Sequence, residues 1–535
     1  MTFDRTIALR RLADEQFDVL VVGGGITGVG CALDAAARGL RTALVEKDDF
    51  ASGTSSRSSK FVHGGLRYLQ QGDVRLVYEA LRERRRLMRN APHLVQVLPF
   101  LLPMFGKGGI VPAKVARVLG TSMWMYDVTG GARIGKVHKR LSAAEAHAHM
   151  PTLRRGRLVS AYLYYDAAAD DARLTLTIAR TAALEHGAVL ANGCRLVAVR
   201  KDAAGRVCGA VVEADGERID VTCRAIVNAA GVWADEVRTL DEGHDPDTIR
   251  QAKGVHVVLP RRLLGNDIAV ILPVPGDRRS IFVAPWGDHA YIGTTDTDDD
   301  GPPDTPRTTS EEVDYLLGAV NASLAEPVSS QDVVGTWAGL RPLVRGSTAR
   351  TADLSRRHQV VTSPSGVVTV IGGKLTTYRQ MAEDTIDAVQ RSLGVRRGRC
   401  PTVRLRLVGA GGHEPFARSG DPVRTHLAGR YGGEAAAVLG LTYEDATLAE
   451  PLVPGLPYLK AEAVYAVRAE MARSVDDVLS RRTRARLLDR AAAVAAADAV
   501  ADLVGPILGW SEDEKAKQVK DFRATVAADH DLVRA

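Results

Sequence analysis

The amino-acid sequence predicts an α/β protein with an antiparallel sheet inserted into it and an all-helical domain at its C-terminal end. Residues 17–46 follow the order strand, glycine-rich turn, helix, strand, which is typical of a parallel α/β unit. Residues 251–295 contain four short apolar runs separated by turn residues, as an antiparallel sheet does. From Lys460 onward, alanine, arginine, glutamate and leucine recur at helical spacing with Pro506 as the main break, and we assign 400–535 to a separate helical domain.

The glycines of the first unit suit a dinucleotide. Gly23, Gly25 and Gly28 follow an apolar strand in the spacing G-x-G-x-x-G and open an alanine-rich helix. The first glycine permits a tight turn, the second lets a pyrophosphate approach the backbone, and the third lets helix and strand pack closely. Glu46 ends the next strand, where a carboxylate accepts hydrogen bonds from a ribose. The unit predicts a dinucleotide site but does not distinguish FAD from NAD.

Further along the chain, three segments have the composition of a ligand-binding loop or turn. Residues 48–73 are rich in serine, threonine and glycine, which suits a cofactor's phosphates or ring edge and equally a polar surface loop. Residues 225–237 and 367–389 each read as an apolar strand, a turn of small residues and a helix. Between the first and second of these segments, the sequence predicts two helices. One spans 74–90 and has its arginines on a solvated face, and the other spans 171–186.

The segment Lys107–Arg140 is strongly basic, with seven basic residues against one acid. Several of its apolar residues fall near one helical face, and Trp124 adds bulk. Two interpretations fit this pattern equally. The segment could lie on an anionic bilayer, or it could be a core-packed helix with a basic outer side.

Composition narrows the class of protein. The chain has 535 residues, of which 45% are hydrophobic and 25% charged, as in ordinary soluble globular proteins. A net charge of +6 is mild for this length, so nucleic acid is not expected, whereas an anionic substrate or membrane surface is compatible. Five cysteines without C-x-x-C spacing indicate reduced thiols in a cytoplasmic compartment and no metal site. Without an apolar signal core or a run of about 18 apolar residues, any membrane contact is expected to be peripheral.

Taken together, the motifs resemble those of the FAD-dependent, membrane-associated glycerol-3-phosphate dehydrogenases, a quinone-linked family in the D-amino-acid-oxidase-like group. The resemblance covers nearly the whole chain, and HGGLRYL together with GGKLTTYR is highly specific for that family. It selects FAD over NAD, which the glycine spacing cannot do. The matching stretches are VVGGGITGVG, GTSSRSSKFVHGGLRYL, VNAAGVW, KGVHVVLP, PWGDHAYIGTTDTD, GLRPL, SRRHQVV, GGKLTTYR and AVRAEMARSVDDVLSRRTR.

The resemblance implies a Rossmann-like FAD-binding domain built from discontinuous segments. An antiparallel-sheet substrate domain is interleaved with it, and a C-terminal all-helical cap closes the chain. We expect the FAD-binding domain at 1–95, 160–250 and 335–395, the substrate and membrane-proximal domain at 96–159 and 251–334, and the cap at 400–535.

The implied reaction is oxidation of sn-glycerol 3-phosphate to dihydroxyacetone phosphate. Hydride passes to flavin N5 and the electrons pass to a membrane quinone. The expected partners are glycerol 3-phosphate, quinone and an anionic membrane surface at the inner face of the cell membrane, with a homodimer left open. Three alternatives stay open: an oxidase that uses O₂, an amine or amino-acid oxidase on the same fold, and a non-enzymatic flavoprotein at the membrane.

The resemblance also places site residues on this sequence. Arginine forks suit a phosphate dianion, and a histidine suits the base that takes the proton from the C2 hydroxyl. His63 is the alternative base to His256, and Arg357 directly follows Arg356, so the alignment there could slip by one. Catalytic roles fall on His256, Arg341 and Lys374, and substrate contacts on Arg67, Tyr68, Arg341 and Arg356. Cofactor contacts fall on Gly23, Gly25, Gly28, Glu46, Thr54, Ser55, Ser58, Ser59, His63, Gly64, Gly65, Gly231, Gly373, Lys374, Leu375 and Thr376.

Overall fold

The computed structural model describes most of the chain, and its strands lie in two sheets. The described residues are 2–65, 73–106, 113–130, 134–277, 279–345, 357–396 and 398–534, of which 113–119 and 530–534 are described by their backbone alone. Within these residues one sheet has eight strands and the other has ten.

The eight-stranded sheet grows from the strand Gln16–Val22, whose apolar end is buried. This strand pairs in parallel with Thr42–Val45 and with Glu217–Asn228, and helix Ile26–Ala37 packs against it with nearly every residue buried. Glycine and alanine on the helix allow that close packing, as the sequence predicts. The order of strands is Gln359–Thr362, Val368–Ile371, Glu217–Asn228, Gln16–Val22, Thr42–Val45 and Val189–Ala191, with Val207–Ala214 and then Cys194–Lys201 paired beside Glu217–Asn228.

The ten-stranded sheet contains the four predicted strands of 251–295, which are confirmed and pair mainly in antiparallel fashion. One pair is parallel, between Ala269–Pro273 and Gln96–Phe105, so the sheet as a whole is mixed. The order of strands is Thr297–Asp298, Ile249–Pro260, His289–Gly293, Ser280–Trp286, Ala269–Pro273, Gln96–Phe105, Leu158–Ala168 and Phe61–Val62, with Gly335–Val344 paired to Ile249–Pro260 and Lys139–Ser142 to Leu158–Ala168.

Three strands differ from the predicted division into domains. All three are hydrogen-bonded into the ten-stranded sheet, although they fall mostly or wholly in segments that we assigned to the FAD-binding domain: Phe61–Val62, Leu158–Ala168 and Gly335–Val344. The sequence pattern of a strand reports that it is buried and does not report its partner, so pairing across long separations is invisible at that stage. The remaining domain boundaries stay a prediction.

Helices cover both sheets and make up the C-terminal region. Pro506 lies inside helix Ala497–Leu508, so the predicted break there is wrong. Buried Val500 and Val504 pack this helix against the core of the C-terminal domain, and it ends before Gly509. The helices span Arg5–Asp14, Ile26–Ala37, Val74–Asn90, Ala113–Thr129, Ala143–His149, Asp171–Leu184, Ala234–Glu242, Arg261–Leu264, Ser310–Asn321, Tyr378–Ser392, Glu414–Ala417, Pro422–Tyr431, Ala435–Glu444, Lys460–Glu470, Asp477–Arg482, Ala485–Leu488, Arg490–Ala495, Ala497–Leu508 and Glu512–Arg534.

Helix Val74–Asn90 has the predicted bounds, but its arginines do not all face solvent. Arg84 is fully buried, and its Nη1 donates to Asp166 Oδ1 at 2.5 Å. The prediction of a solvated face is therefore wrong for Arg84, although Arg85 is exposed. A carboxylate from the ten-stranded sheet compensates the buried charge, and only the tertiary structure supplies that partner.

The C-terminal helices dock on the eight-stranded sheet through buried ion pairs. Asp49 follows the strand Thr42–Val45 and accepts hydrogen bonds from Arg481 Nε at 2.7 Å and from Arg482 at 2.7 and 2.8 Å. Burial alone would raise the pKa of Asp49, but Arg482 and Arg481 hold it below its usual range. The cap is thus tied by charge to the turn that follows the first parallel unit.

No helix among the described residues is both long enough and apolar enough to span a bilayer.

Candidate functional site

A cleft of about 490 Å³ opens at the carboxyl ends of the central parallel strands, where ligands bind in open α/β sheets. Most of its walls come from the four segments in which the sequence predicts ligand contacts, around residues 22–27, 45–55, 229–240 and 372–381, and the rest from 194–197, Glu213 and Pro342. The predicted cofactor residues that line it are Gly23, Gly25, Glu46, Thr54, Ser55, Gly231, Gly373, Lys374 and Leu375.

The three glycines of the first turn have different roles. A Cβ atom on Gly23 would lie 2.6 Å from the Ala229 carbonyl oxygen, and one on Gly28 would lie closer than 3.0 Å to the Gly23 carbonyl oxygen. These two positions exclude side chains because backbone packs against them. At Gly25, Ser55 Oγ at 3.2 Å is the one described atom within 4 Å, so a side chain there would point into the cleft. Gly25 therefore leaves room for a ligand that approaches the backbone.

The helix behind this turn begins at the cleft. Gly25 is the N-cap of helix Ile26–Ala37 and supplies no side-chain cap, while the Ile26 N–H donates to Ser55 Oγ at 2.8 Å. A helix N-terminus carries a partial positive charge and free N–H groups, which attract anions such as a pyrophosphate. Both the open space over Gly25 and this helix end fit the phosphates of a dinucleotide.

Glu46 lies at the end of the second strand, as predicted, and is buried. Its Oε2 accepts a hydrogen bond from the Gly24 N–H at 2.6 Å, and its Oε1 accepts one from the Asp48 N–H at 2.9 Å. Burial raises the pKa of Glu46 to about 7, and these two backbone bonds oppose the rise. A carboxylate held in this way beside the glycine turn fits the ribose of a dinucleotide.

Trp233 is a cleft residue that the sequence analysis did not single out, although it lies in the stretch VNAAGVW. Its Nε1 is buried and has no hydrogen-bond partner in the described part of the chain, and Lys47 Nζ lies 4.2 Å from its ring centroid. A buried donor without a partner points to an acceptor supplied by a ligand. An aromatic residue that directly follows a turn of small residues is the signal that could have revealed it.

The serine-rich loop after Glu46 is fixed by contacts to the protein itself. Thr54 Oγ1 donates to the Leu340 carbonyl at 2.5 Å, Ser58 Oγ donates to Asp171 Oδ2 at 2.7 Å, and Ser59 Oγ lies 2.8 Å from His256 Nε2. The hydroxyls of Ser58 and Ser59 thus have protein partners, and their predicted role in cofactor binding stays a prediction.

The end of this loop meets the GGKLTTYR turn. The His63 N–H donates to Thr376 Oγ1 at 3.2 Å, so two motifs that are far apart in sequence are joined. The Gly64 N–H lies 3.3 Å from both Tyr126 Oη and Asp166 Oδ1, and Gly65 has a φ of +76°. These residues, with Gly28, Ser58 and Ser59, are not among the described residues that line the cleft, and their predicted cofactor contacts stay predictions.

Asp171 joins the loop to the cap. This fully buried carboxylate accepts hydrogen bonds from Lys60 Nζ at 3.1 Å and from Arg484 Nη2 at 3.0 Å, and Arg484 Nη2 also donates to the Ser56 carbonyl at 2.5 Å. Burial, with Arg484 nearby, lowers the pKa of Lys60 to about 8. The sequence analysis missed Asp171 and Arg484 because their positions become meaningful only when the cap docks on the loop.

The strands Ile249–Pro260 and Gly335–Val344 carry two predicted catalytic residues, His256 and Arg341, on one face. Residues directly opposite each other in an antiparallel pair point to the same side of the sheet, and this alternates along the strand. Three consecutive opposite pairs on this face are Ala252 with Arg341, Gly254 with Gly339, and His256 with Trp337.

His256 is buried within a shell of aromatic residues. Its ring stacks on that of Trp337 with centroids 4.6 Å apart and planes 10° apart, and it has room because Gly293 opposite carries no side chain. Nδ1 is buried without a hydrogen-bond partner among the described residues. Burial, together with the charges of Lys60 and Arg341, lowers the pKa of His256 well below its usual range. The imidazole is therefore neutral at physiological pH.

Arg341 is half-buried, and three of its contacts are long. Its Nη2 lies 3.2 Å from Thr294 Oγ1 and 3.4 Å from the Thr295 carbonyl oxygen, and its Nη1 lies 3.4 Å from Asp296 Oδ1. All three distances are at or beyond the long end of the hydrogen-bond range. These contacts hold the guanidinium on the strand face that also carries His256.

The other predicted polar residues divide into two groups. Lys374 lines the cleft next to Gly373, whose φ of +86° gives the left-handed turn. Arg67, Tyr68 and Arg356 lie outside the described residues. Arg357, the neighbour onto which the alignment could slip, pairs with Asp73 at 2.9 Å.

The fold and the cleft define a dinucleotide-binding protein of the α/β class, and comparisons with known proteins specify the class further. A family described as FAD dependent oxidoreductase matches residues 18–379, and one described as C-terminal domain of alpha-glycerophosphate oxidase matches residues 400–515. The chain is 42% identical over 538 residues to glycerol-3-phosphate dehydrogenase 2 of Mycobacterium bovis, covering 98% of this chain and 90% of that protein.

Two further relatives agree. The mitochondrial glycerol-3-phosphate dehydrogenase of Mus musculus is 39% identical over 94% of this chain and 72% of its own length. The crystal structure of the glycerol-3-phosphate dehydrogenase of Bacillus halodurans complexed with FAD superposes with a TM-score of 0.78 at 32% identity, covering 97% of this chain and 96% of that one. The chain belongs to the FAD-dependent glycerol-3-phosphate dehydrogenase family. The fold class and FAD as cofactor, which the sequence resemblance implied, are confirmed.

Proposed function

We propose that the protein transfers the C2 hydride of sn-glycerol 3-phosphate to flavin N5, forms dihydroxyacetone phosphate, and passes the electrons to a membrane quinone. The observation that carries the chemistry is the strand face on which Arg341 and His256 lie on either side of Gly254. That face supplies a permanently charged cation and a neutral imidazole, separated by the pair of Gly254 and Gly339.

Arg341 binds the phosphate. A phosphate dianion forms short, charge-assisted hydrogen bonds with a guanidinium, whereas the contacts of Arg341 to Thr294, Thr295 and Asp296 are 3.2–3.4 Å long. A planar guanidinium also offers two parallel N–H groups to phosphate oxygens, which fixes the substrate's orientation as well as its charge.

His256 takes the proton of the C2 hydroxyl. A base must be unprotonated before the reaction, and the lowered pKa of His256 keeps it so. The approach of a dianionic substrate raises that pKa again, which makes the imidazole a better base at the moment it is needed. Ser59 Oγ at 2.8 Å from Nε2 holds the ring in place.

Lys374 supplies positive charge at the edge of the cleft. When bound, the flavin accepts the hydride, and negative charge then develops on the cofactor and on the substrate oxygen. A lysine that lines the cleft stabilises both. Two cationic side chains in the proposed site favour a phosphate over the single carboxylate of an amino acid.

The proposed membrane contact lies on helix Ala113–Thr129. Its inner face is core-packed through buried Met123 and Tyr126, while Trp124 and Val128 are 66% and 79% exposed. The buried face fits the core-packed interpretation, and the exposed face supports the proposal that the helix lies on the bilayer. Exposed apolar side chains insert at a bilayer surface, and this contact would bring the protein to the membrane quinone at the inner face of the cell membrane. A homodimer stays a prediction.

Anaerobic titration tests the substrate. Glycerol 3-phosphate should bleach the flavin absorbance of the purified holoenzyme, whereas glycerol, lactate and D-amino acids at the same concentration should not. Bleaching by an amino acid instead would replace the proposal with an amino-acid oxidase, and no bleaching by any of them would favour a non-enzymatic flavoprotein.

Turnover with different acceptors tests the quinone. A soluble quinone analogue should support turnover, and hydrogen peroxide release in air should be slow at equal substrate. Peroxide release at the rate of quinone reduction would identify an oxidase and remove the reason for a membrane contact.

A further inference from the structure

We propose that Gly254 is a positioning residue for the substrate arginine: the absence of a side chain at 254 sets where the Arg341 guanidinium lies. The inference rests on the proposed role of Arg341 in phosphate binding and goes beyond it, because Gly254 itself contacts no substrate.

The space over Gly254 is filled by the arginine. A Cβ atom built on Gly254 would lie 2.8 Å from Arg341 Cζ, closer still to Nη2, and 2.6 Å from Thr294 Oγ1. Contacts under 3.0 Å essentially never occur for a real Cβ atom, so the arginine could not keep this position beside a side chain. The guanidinium is thus folded across the bare backbone of the neighbouring strand.

The register of the sheet explains why the arginine crosses at that point. Arg341 is opposite Ala252, and the next pair on the same face is Gly254 with Gly339. Two opposite glycines leave a bare strip between Arg341 and His256. The loop backbone at Arg57 packs over Gly339, where a Cβ would lie 2.6 Å from its carbonyl oxygen, and the guanidinium packs over Gly254.

Backbone conformation does not explain the glycine. Gly254 is not among the residues with positive φ, so its backbone conformation is open to any L-residue. A glycine inside a strand weakens the strand, and it is expected where a ligand or another group must come close to the backbone. Here that group is Arg341.

The test substitutes Gly254→Ala in the full-length holoenzyme. The guanidinium must move by on the order of 1 Å, and misplacements of that size reduce catalytic efficiency by up to about a hundredfold. Because Arg341 binds the non-reacting phosphate, the KM for glycerol 3-phosphate should rise roughly tenfold or more, while kcat and FAD content stay near wild type.

A double-mutant cycle distinguishes positioning from general damage. If Gly254 acts through Arg341, the variant Gly254→Ala/Arg341→Ala should have the same KM as Arg341→Ala alone. Additive effects on KM would overturn the inference. The steric control is Gly209→Ala in the other sheet, where a Cβ would lie 2.5 Å from the Val221 carbonyl oxygen; it should lower the Tm and leave KM unchanged.

Thr294→Val and Arg341→Ala show how the KM of Gly254→Ala is to be interpreted. Thr294→Val removes an oxygen that lies 3.2 Å from Arg341 Nη2, so if Gly254→Ala does not fold, Thr294→Val should still raise KM severalfold. If Arg341→Ala raises KM while Gly254→Ala and Thr294→Val leave it unchanged, the positioning role is refuted and the proposed function stands. If Arg341→Ala leaves KM unchanged, the proposed phosphate site itself fails.

Discussion

Replacing Arg484 by methionine should destabilise the protein and loosen the loop that carries Ser58 and Ser59. Arg484 is 1% exposed and its Nη2 donates to Asp171 Oδ1 at 3.0 Å and to the Ser56 carbonyl at 2.5 Å. Methionine fills much of the same volume, so the main effect is the loss of charge and hydrogen bonds.

The magnitude follows from what remains around Asp171. Removing one partner of a buried ion pair costs about 3–5 kcal/mol because the other charge is left without compensation. Lys60 Nζ, 3.1 Å from Asp171, still offsets part of that charge, which places the loss near the lower end, about 3 kcal/mol. At about 2–4 °C per kcal/mol for domains of 150–250 residues, the Tm should fall by roughly 6–12 °C.

Thermal melting followed by flavin fluorescence measures both stability and FAD release. Since Ser59 Oγ contacts His256 Nε2 at 2.8 Å, a loosened loop should also lower kcat/KM at temperatures where the variant is still folded. The matched control is Arg523→Met, whose ion pair with Asp498 is exposed and worth about 0–1 kcal/mol. If Arg484→Met has the same Tm as the control and keeps its kcat/KM, the ion pair between Arg484 and Asp171 does not stabilise the loop.

Three more predictions follow from the cleft and the surface. Gly25→Val should fold but lose FAD, whereas Gly28→Val should not fold. Circular dichroism measures folding and flavin absorbance measures bound FAD. Full FAD occupancy in Gly25→Val would contradict the assignment of this turn. In FAD-free protein, burial raises the pKa of Glu46 from 4.5 to about 7, so its contribution to stability is present below pH 4.5 and is lost as the pH rises through 7. Glu46→Gln should flatten the dependence of Tm on pH in that window, and an equal slope in both proteins would refute the shift. Val128→Glu should weaken binding to anionic liposomes and leave activity toward a soluble quinone analogue intact. The control Tyr443→Glu, at an exposed site on the cap, should bind liposomes as the wild type does. Equal binding by both variants would remove helix Ala113–Thr129 from the membrane contact.

Local sequence patterns predicted the parts of the site that depend on neighbours along the chain. The turn at Gly23 and Gly25, the carboxylate of Glu46 and the turn before Lys374 all lie at the junction of a strand and the next element, and all line the cleft. Such junctions are visible in the sequence because the periodicity of apolar residues changes there.

Predictions about individual side chains were less complete. The partners of the serine hydroxyls at 58 and 59 are Asp171 and His256, more than a hundred residues away, and the sequence indicated neither contact. Arg84 was expected in solvent, yet Asp166 holds it in the interior. A serine or an arginine can serve in many surroundings, so its identity alone does not predict its partner.

The sequence by itself determined the α/β unit at 17–46, the choice of FAD through its family resemblance, and the identity of the candidate arginine, histidine and lysine. The tertiary structure alone decided that Gly254 pairs with Gly339 and lies under the Arg341 guanidinium, that His256 is buried and neutral, and that Arg484 of the cap holds the loop through Asp171. The physical reason is range. Turn geometry and helix periodicity are set by residues a few positions apart, whereas strand register, burial and ion pairing depend on which distant segments pack together, and these contacts form only in the folded chain.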